Sequence, residues 1–418
     1  MTHIPDCTAL QNTCILETPD PVINAAFRFA KDNIARCMRW YTLGWGMSNA
    51  PHNYAIVVGR DTAWMGMGID YVAPWFTHAS LAVFRDRQKA NGMILEYVDM
   101  ERGVECDYGL NISDNTPLYI LALAHHAAMH GPIPDYAASV ERAADHILSQ
   151  IGAAGLVEGV AAGVETSGIF SWRNIIPGGV IAGAVTELNT LCVAALRGAA
   201  EFCEAPHYAA AADTLEENMR RLETANGYLL ALDNGAENAS ETGDMLFPPL
   251  FNVGDKGLHR AILARMGRDA FWGERGMRTV PRDDPAYDPS GSVGLLGGSW
   301  PNLTLWYAAA AARHDPDRAL DALLRVARTA AEPQPETANV NITEFAEVFH
   351  GETGVNIGMR LSPWVAPTFI WAVVEGLLGA RWHGGRAIFR PCWPDGWSSV
   401  SIRRLPTQHG FVDLELVR

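Results

Sequence analysis

The chain has 418 residues, 48% of them apolar, with 32 Lys and Arg against 47 Asp and Glu for a formal charge of −15. That length suits one large domain or two or three smaller ones with a sizeable core. The acidic balance, with no basic run, argues against nucleic acid or an anionic membrane as partner.

Seven cysteines (Cys7, Cys14, Cys37, Cys106, Cys192, Cys203, Cys392) form no CxxC pair and total an odd number. That is neither a disulfide framework nor a zinc site. The opening "MTHIPDCTALQN" has no basic stretch followed by an apolar one, and no apolar run approaches the roughly 18 residues of a membrane span. The expectation is a cytoplasmic protein without a metal or cofactor, its oligomeric state left open.

In chain order, ten segments carry helical periodicity. They begin with "PDPVINAAFRFAKDNIARCMRW" and "TAWMGMGIDYVAPWFTHASLAVFRDRQ", followed by "TPLYILALAHHAAMHG", "DYAASVERAADHILSQIG" and "GAVTELNTLCVAALRGAAEFCE". Then come "HYAAAADTLEENMRRLETA", "LHRAILARMG", "SWPNLTLWYAAAAARHD", "PDRALDALLRVARTAAE" and "SPWVAPTFIWAVVEGLLGA". Two kinds are mixed. Thr116 to Met129, Ala184 to Ala200, Ser299 to Ala312 and Ser362 to Ala380 are apolar nearly all round, whereas Asp135 to Gln150 and Pro316 to Ala331 are amphipathic. A helix apolar on every side must be buried on every side. An inner ring within an outer ring meets that need, so the expected fold is all-α: an (α/α)6 barrel of about six helical hairpins spanning residues 1–380. No repeat of fixed length favours a solenoid. The tail from Arg381 alternates in short runs broken by "PDGW" and "QHG", which predicts a small β appendage over 381–418.

In such a barrel the ligand site lies where loops enter the inner helices, and these loops are rich in polar and aromatic residues. In "GRDTAW", Asp61 beside Arg60 reads either as a helix cap or as an acceptor for substrate hydroxyls, with Trp64 stacking on a ring. "SDNTPLY" likewise offers Asp114 as a cap or as a ligand. "SWRNIIPGG" sets Trp172, Arg173 and Asn174 side by side in a Gly/Pro loop with no structural need for them. "TEFAEVFHGETG" packs Glu344, Glu347 and Glu352 with His350 into one loop. Apolar neighbours on both sides suggest that Glu347 is partly buried, a condition under which a carboxylate becomes a competent base. Thirteen tryptophans, Trp300 and Trp364 among them, suit sugar rings as well as core packing. There is no GxGxxG after a strand, no GxxxxGK[ST], no HExxH and no GxSxG. The pair His125–His126 sits within an apolar helix, where one is expected to pack and the other to hydrogen-bond.

Together these motifs resemble the six-hairpin inverting glycosidases: glycoside hydrolase family 63, with its processing α-glucosidases and bacterial glucosylglycerate hydrolases, and the amylo-α-1,6-glucosidase group. The resemblance runs from about Arg60 to Ala380. "FAEVFHGETG" is similar to the family's FAE-x-Y-x-P-x-TG segment, which implies that Glu347 is the general base. "GGSWPNLTLWYAAAAAR" resembles the helix that supplies a subsite tryptophan, here Trp300. "DMLFPPLF", "GRDTAW" and "SDNTPLYILAL" follow in kind. The β tail is similar to the C-terminal strands of rhamnosidases and sugar phosphorylases. At the family's general-acid position this chain has Asn174, which cannot donate a proton to a leaving group. Glu187, in a stretch similar to the acid-bearing segment of glucoamylases, is the preferred replacement, and Glu165 the second.

The implied reaction is inverting hydrolysis of a short oligosaccharide or small glycoside, with base and acid roughly 6.5–9.5 Å apart to admit a water. Arg60, Arg173 and Arg360 are candidates for binding an anionic aglycone. An (α/α)6 sugar epimerase and a non-catalytic sugar-binding barrel are the alternatives.

Overall fold

The computed structural model describes residues 7–48, 55–159, 171–173 and 182–418. Among them are twelve helices that organise the chain: α1 (Pro21–Cys37), α2 (Gly59–Ile69), α3 (Pro74–Arg85), α4 (Asn115–His130), α5 (Ala137–Ser149), α6 (Thr186–Phe202), α7 (Pro206–Asn218), α8 (Phe247–Phe251), α9 (Lys256–Met266), α10 (Pro301–Ala311), α11 (Pro316–Ala331) and α12 (Val365–Trp371).

Contacts between these helices form a closed circuit. Helix α2 packs on α4, α4 on α6, α6 on α8, α8 on α10, α10 on α12, and α12 returns to α2. The intervening helices lie outside: α3 on α2 and α4, α5 on α4 and α6, α7 on α6, α9 on α8, α11 on α10, and α1 on α11 and α12. The sequence explains the sorting. In α10 nearly every residue is buried. In α11 burial is confined to Ala319, Ala322, Leu323, Val326, Ala327, Thr329 and Ala330, mostly the three- and four-residue spacing of one helix face.

The structure departs from the sequence reading in three places. The segment Thr62 to Gln88 is two helices, not one: the chain turns at Asp70 to Ala73 and restarts at Pro74, whose fixed φ suits the first helical position. The protein is not purely helical outside its tail either, because short hairpins such as Arg39–Tyr41 with Gly44–Gly46 occupy the loops. Finally, the C-terminal strands do not stand alone. Strand β1 (Ile15–Glu17) pairs with β4 (Ser399–Thr407), which pairs with β5 (Gly410–Val417), so the tail's sheet is completed from the N-terminal region. A separate hairpin, β2 (Arg381–His383) with β3 (Arg386–Ile388), follows α12.

At the C-terminal ends of the inner helices lies a buried polar network. His125 donates from Nδ1 to Asp70 Oδ2 at 2.8 Å and from Nε2 to Glu375 Oε1 at 2.5 Å. His126 Nδ1 reaches Asp70 Oδ1 at 2.7 Å, and His130 Nε2 the Asp70 carbonyl at 3.0 Å. Both members of the histidine pair therefore hydrogen-bond, where one was expected to pack. Glu375 sits in a π-helical turn, Ala372–Leu377, that extends α12. Burial opposes the His125 charge, but the carboxylates of Glu375 and Asp70 outweigh it and push its pKa up to about 10.

Removing one member of such a cluster leaves buried charge uncompensated, which typically costs about 3–5 kcal/mol. His125→Gln should therefore lower the unfolding free energy by about 3 kcal/mol, measured by urea denaturation at pH 6. Because the folded pKa lies above the ordinary 6.5, the contribution is complete below that pH and fades as pH rises through about 10. Wild type and variant should converge in stability along that range.

Candidate functional site

The opposite ends of the inner helices converge on a different chemistry. Each of the six brings a polar or aromatic residue to its N-terminal end: Arg60 and Asp61 on α2, Asp114 before α4, Glu187 on α6, Asp244 ahead of α8, Trp300 before α10 and Trp364 before α12. None of these six helices is capped by a side chain. The outer helices α1, α9 and α11, by contrast, are capped by Asp20, Asp255 and Asp315. The cap reading of "GRDTAW" and "SDNTPLY" thus fails: Val58 is the N-cap residue of α2, and Asp114 occupies the cap position of α4 with its side chain turned elsewhere.

It turns to Arg60. The buried guanidinium donates from Nε to Asp114 Oδ2 at 2.8 Å and from Nη2 to Asp114 Oδ1 at 2.5 Å. The other side of the fork bonds Glu96, Nη1 to Oε1 at 2.7 Å and Nη2 to Oε2 at 3.2 Å. A second clamp mirrors the first. Arg173 Nε lies 2.9 Å from both oxygens of Asp244, Nη2 is 2.5 Å from Oδ2, and Nη1 donates to the Leu295 carbonyl at 3.2 Å. Asp244 also accepts from Trp172 Nε1 at 2.8 Å and from Thr242 Oγ1 at 3.0 Å. Glu96 and Asp244 escaped the sequence reading. Glu96 lies in a loop with no motif, and Asp244 opens "DMLFPPLF", a segment whose apolar run gives no local sign of a buried ion pair.

Three carboxyl groups remain outside the clamps. Glu187 is fully buried; its Oε1 accepts from the Trp172 N–H at 3.0 Å, and its Oε2 has no partner among the described residues. Burial, then the charges of Asp244 and Asp114, raise its pKa well above the carboxylate range, so it keeps its proton. Asp61 is half-buried, and burial with the charges of Glu96 and Asp114 lifts it to about 7 against the pull of Arg60. Glu347 is half-buried and raised to about 7 by burial, with Asp61 adding to the effect and the Met359 N–H, 3.2 Å from Oε2, opposing it.

The acidic loop is held in place by backbone pairing. The Phe349 N–H donates to Ser299 O at 2.9 Å and the Ser299 N–H to Phe349 O at 2.8 Å, which ties the loop to the entry of α10 beside Trp300. Glu347 itself pairs through its N–H with Met359 O at 2.9 Å. Gly358 makes room for the carboxylate, since a Cβ there would stand 2.7 Å from Glu347 Oε2. The three glutamates now separate. Glu344 is buried too, but bonds Arg36 at 2.6 Å; Glu352 bonds Tyr287 and Arg282, each at 2.7 Å. Among the described residues, Glu347 alone of the three has no cation.

The tryptophans of the sequence-predicted set are all buried. Trp172, Trp300 and Trp364, at 4–6% exposure, meet edge to face or tilted, with centroids 5.4–6.4 Å apart. Trp64 is corrected: at 2% exposure, tilted 4.7 Å from Trp306 and packed on Phe247 and Trp371, it is core and offers no face to a sugar. His350 is structural, its Nδ1 accepting from the Glu352 and Thr353 N–H groups at 3.2 and 3.3 Å. Arg360 is exposed and bonds Asn339 Oδ1. Arg60 and Arg173, offered as anion binders, are already occupied. Glu165 and Asn174 lie outside the described residues.

In fold, the chain is similar to carbohydrate-acting hydrolases. A sialidase aligns with a TM-score of 0.70 at 15% identity, over 97% of this chain and 40% of that one. A family 78 rhamnosidase of Bacillus sp. GL1 aligns at 0.65 and 17%, over 96% and 39%. The chain thus spans about two fifths of the length of either protein. The family 63 mannosylglycerate hydrolase from Thermus thermophilus, in complex with glucose, aligns at 0.59 and 14%, over 84% of this chain and all of that one. Residues 182–379 match the family model of the mannosylglycerate hydrolase MGH1-like glycoside hydrolase domain. This stretch is similar to that glycoside hydrolase domain, and the chain resembles the family 63 glycosidases as its motifs implied. No protein of curated function matches the sequence. Among the described residues, no helix is long and apolar enough to cross a membrane.

The Arg173 clamp carries a direct stability test. Arg173→Met leaves Asp244 buried and unpaired and should cost about 3–5 kcal/mol. The double variant with Asp244→Asn should recover part of that loss in a thermal or urea melt.

Proposed function

We propose that the chain is an inverting glycosidase built on an (α/α)6 barrel, acting on a short oligosaccharide or small glycoside, with Glu347 as general base and Glu187 as general acid. The observation that carries the reading is the difference between these two carboxyl groups. Glu347, anchored by the Met359 N–H, is half open and titrates near neutrality, which suits a group that must be ionised to take a proton from water. Glu187 is fully buried and held protonated, which suits a donor to the glycosidic oxygen. Two carboxyl groups driven apart by their surroundings are the usual mark of an acid–base pair. On this reading Asp61, partly exposed and outside both clamps, accepts from sugar hydroxyls. Trp172, Trp300 and Trp364, 4–6% exposed and packed on one another, form an apolar wall beside Glu187 that keeps water from its carboxyl group. Glu165 stands as the alternative acid.

The epimerase reading loses support, because His125 and His126 are bound to Asp70 at the other end of the helices.

On this reading, hydrolysis of a panel of disaccharides and small glycosides, followed by NMR, yields product of inverted anomeric configuration. Glu347→Gln reduces kcat by about 10³-fold or more, on the order expected when a base is removed from an activated water, with an unchanged melting temperature. Gly358→Ala, which pushes on the same carboxylate, lowers kcat by at least about tenfold while KM moves little. The acid limb of kcat/KM falls near pH 7, because Glu347 must lose its proton and its pKa stands at about 7. Retained configuration, or full activity in Glu347→Gln, sinks the assignment.

A further inference from the structure

Resting on the glycosidase reading, we infer that the substrate's leaving group is uncharged: the site is built against an anionic aglycone such as a glycerate. The observation is one of occupancy. Arg60 directs all three of its nitrogens to Asp114 and Glu96, and Arg173 directs Nε and Nη2 to Asp244 and Nη1 to the Leu295 carbonyl. Both side chains are about 3–4% exposed. Neither guanidinium can turn to a substrate carboxylate without stranding a buried acid, and breaking a buried pair costs more than a new one at the mouth returns.

The formal charge points the same way. Asp61, Glu96, Asp114, Glu187, Asp244 and Glu347 gather six carboxyl groups about two guanidinium groups; with Glu187 protonated, the remaining five acids exceed the two cations by three when Asp61 and Glu347 are ionised, and by one when both are protonated. Four of the six sit in the first turn or just ahead of an inner helix. The internal segments outside the described residues bring no Lys or Arg: 49–54 reads NAPHNY, 160–170 reads VAAGVETSGIF and 174–181 reads NIIPGGVI. Arg360 is the one remaining arginine of the sequence-predicted set, and it is drawn to Asn339 at the exposed surface. Like charges brought together oppose binding, so a carboxylate on the leaving group is selected against. A hydroxylated or aryl neutral group meets no such barrier. The neighbouring mannosylglycerate hydrolase has been crystallised with D-glycerate, so the two chains would differ in what lies beyond the scissile bond.

Two measurements test this. In the first, D-glycerate is titrated to high millimolar concentration into the intact protein and followed by saturation-transfer NMR at low ionic strength. No saturable binding is expected; saturable binding overturns the inference, and its loss in Arg360→Ala would name the cation responsible. In the second, for whichever sugar the protein releases from p-nitrophenyl glycosides, kcat/KM is compared between a neutral aryl glycoside and its carboxylated analogue. The neutral one should lead by about tenfold or more, with the gap shrinking in roughly 0.5 M salt as charges at the mouth are screened. A ratio of one or below overturns the inference while leaving the glycosidase reading intact. If no glycoside is released at all, the glycosidase reading falls, and the glycerate titration alone decides the charge argument.

Discussion

Two arginines, each locked between buried carboxylates, set the terms for the rest of this structure. Taking a lone carboxylate out of water costs far more than a folded chain can tolerate, so buried acids are paired or lose their charge. Here both outcomes occur within one site. Asp114 and Glu96 share Arg60, and Asp244 holds Arg173. Both guanidinium groups are then committed to these carboxylates, and the acids left over are pushed toward their protonated forms. That is why burial raises Glu187 so far, and why Asp61 and Glu347 stand near neutrality. The clamps do not touch the proposed chemistry; they fix how much negative charge surrounds it.

The helices contribute in the same sense. All six inner helices point their N-terminal ends toward this site, where the partial positive charge of unpaired N–H groups favours anions. An acid that caps its own helix would hold that charge locally. Asp114, at the cap position of α4, reaches across to α2 instead, and so stitches two neighbouring helices of the circuit together. Stability and site geometry therefore share atoms. Arg173 extends the logic to the loop beside Glu187: Trp172 bonds both Glu187, through its backbone, and Asp244, through its ring. The proposed acid is thereby held by the same residues that anchor a tryptophan of the wall.

Much of this was legible from the chain, for a definite reason. Burial on every side leaves an unmistakable mark on composition, so α4, α6, α10 and α12 stood out, and the spacing in α11 announced an outer helix. Glu347 was legible because its apolar neighbours differ from those of Glu344 and Glu352, although Glu344 proved buried as well, through its bond to Arg36. What could not be read was pairing across distance. Nothing near Glu96 in sequence signals that it lies against Arg60, thirty-six positions away, and nothing local tells that Trp64 faces Trp306 rather than solvent. Aromatic residues in a pocket loop and in a core look alike until their neighbours are known. The break at Ala73 is a milder case, since Pro74 was visible but the helical pattern continued on both sides of it.

The far ends of the same helices show the opposite problem and its solution. At a helix C-terminus the exposed carbonyls disfavour an anion, yet Asp70 follows the last residue of α2 and is fully buried. It is tolerated because three imidazoles reach its carboxylate and carbonyl oxygens, and because His125 carries a charge that Glu375 and Asp70 divide between them. The pull of those histidines outweighs burial and holds Asp70 well below the usual carboxylate range. The two ends of the circuit thus follow one rule with opposite signs. Acids accumulate where helix dipoles support them and are left short of cations. The two acids at the other end, Asp70 and Glu375, are surrounded by donors. Moving a catalytic carboxylate to that second end would demand a cation beside it at every step, which would hold it ionised and useless as a proton donor. What keeps Glu187 protonated is burial beside two carboxylates with no cation of its own, a setting found at the first end of the circuit and absent from the second.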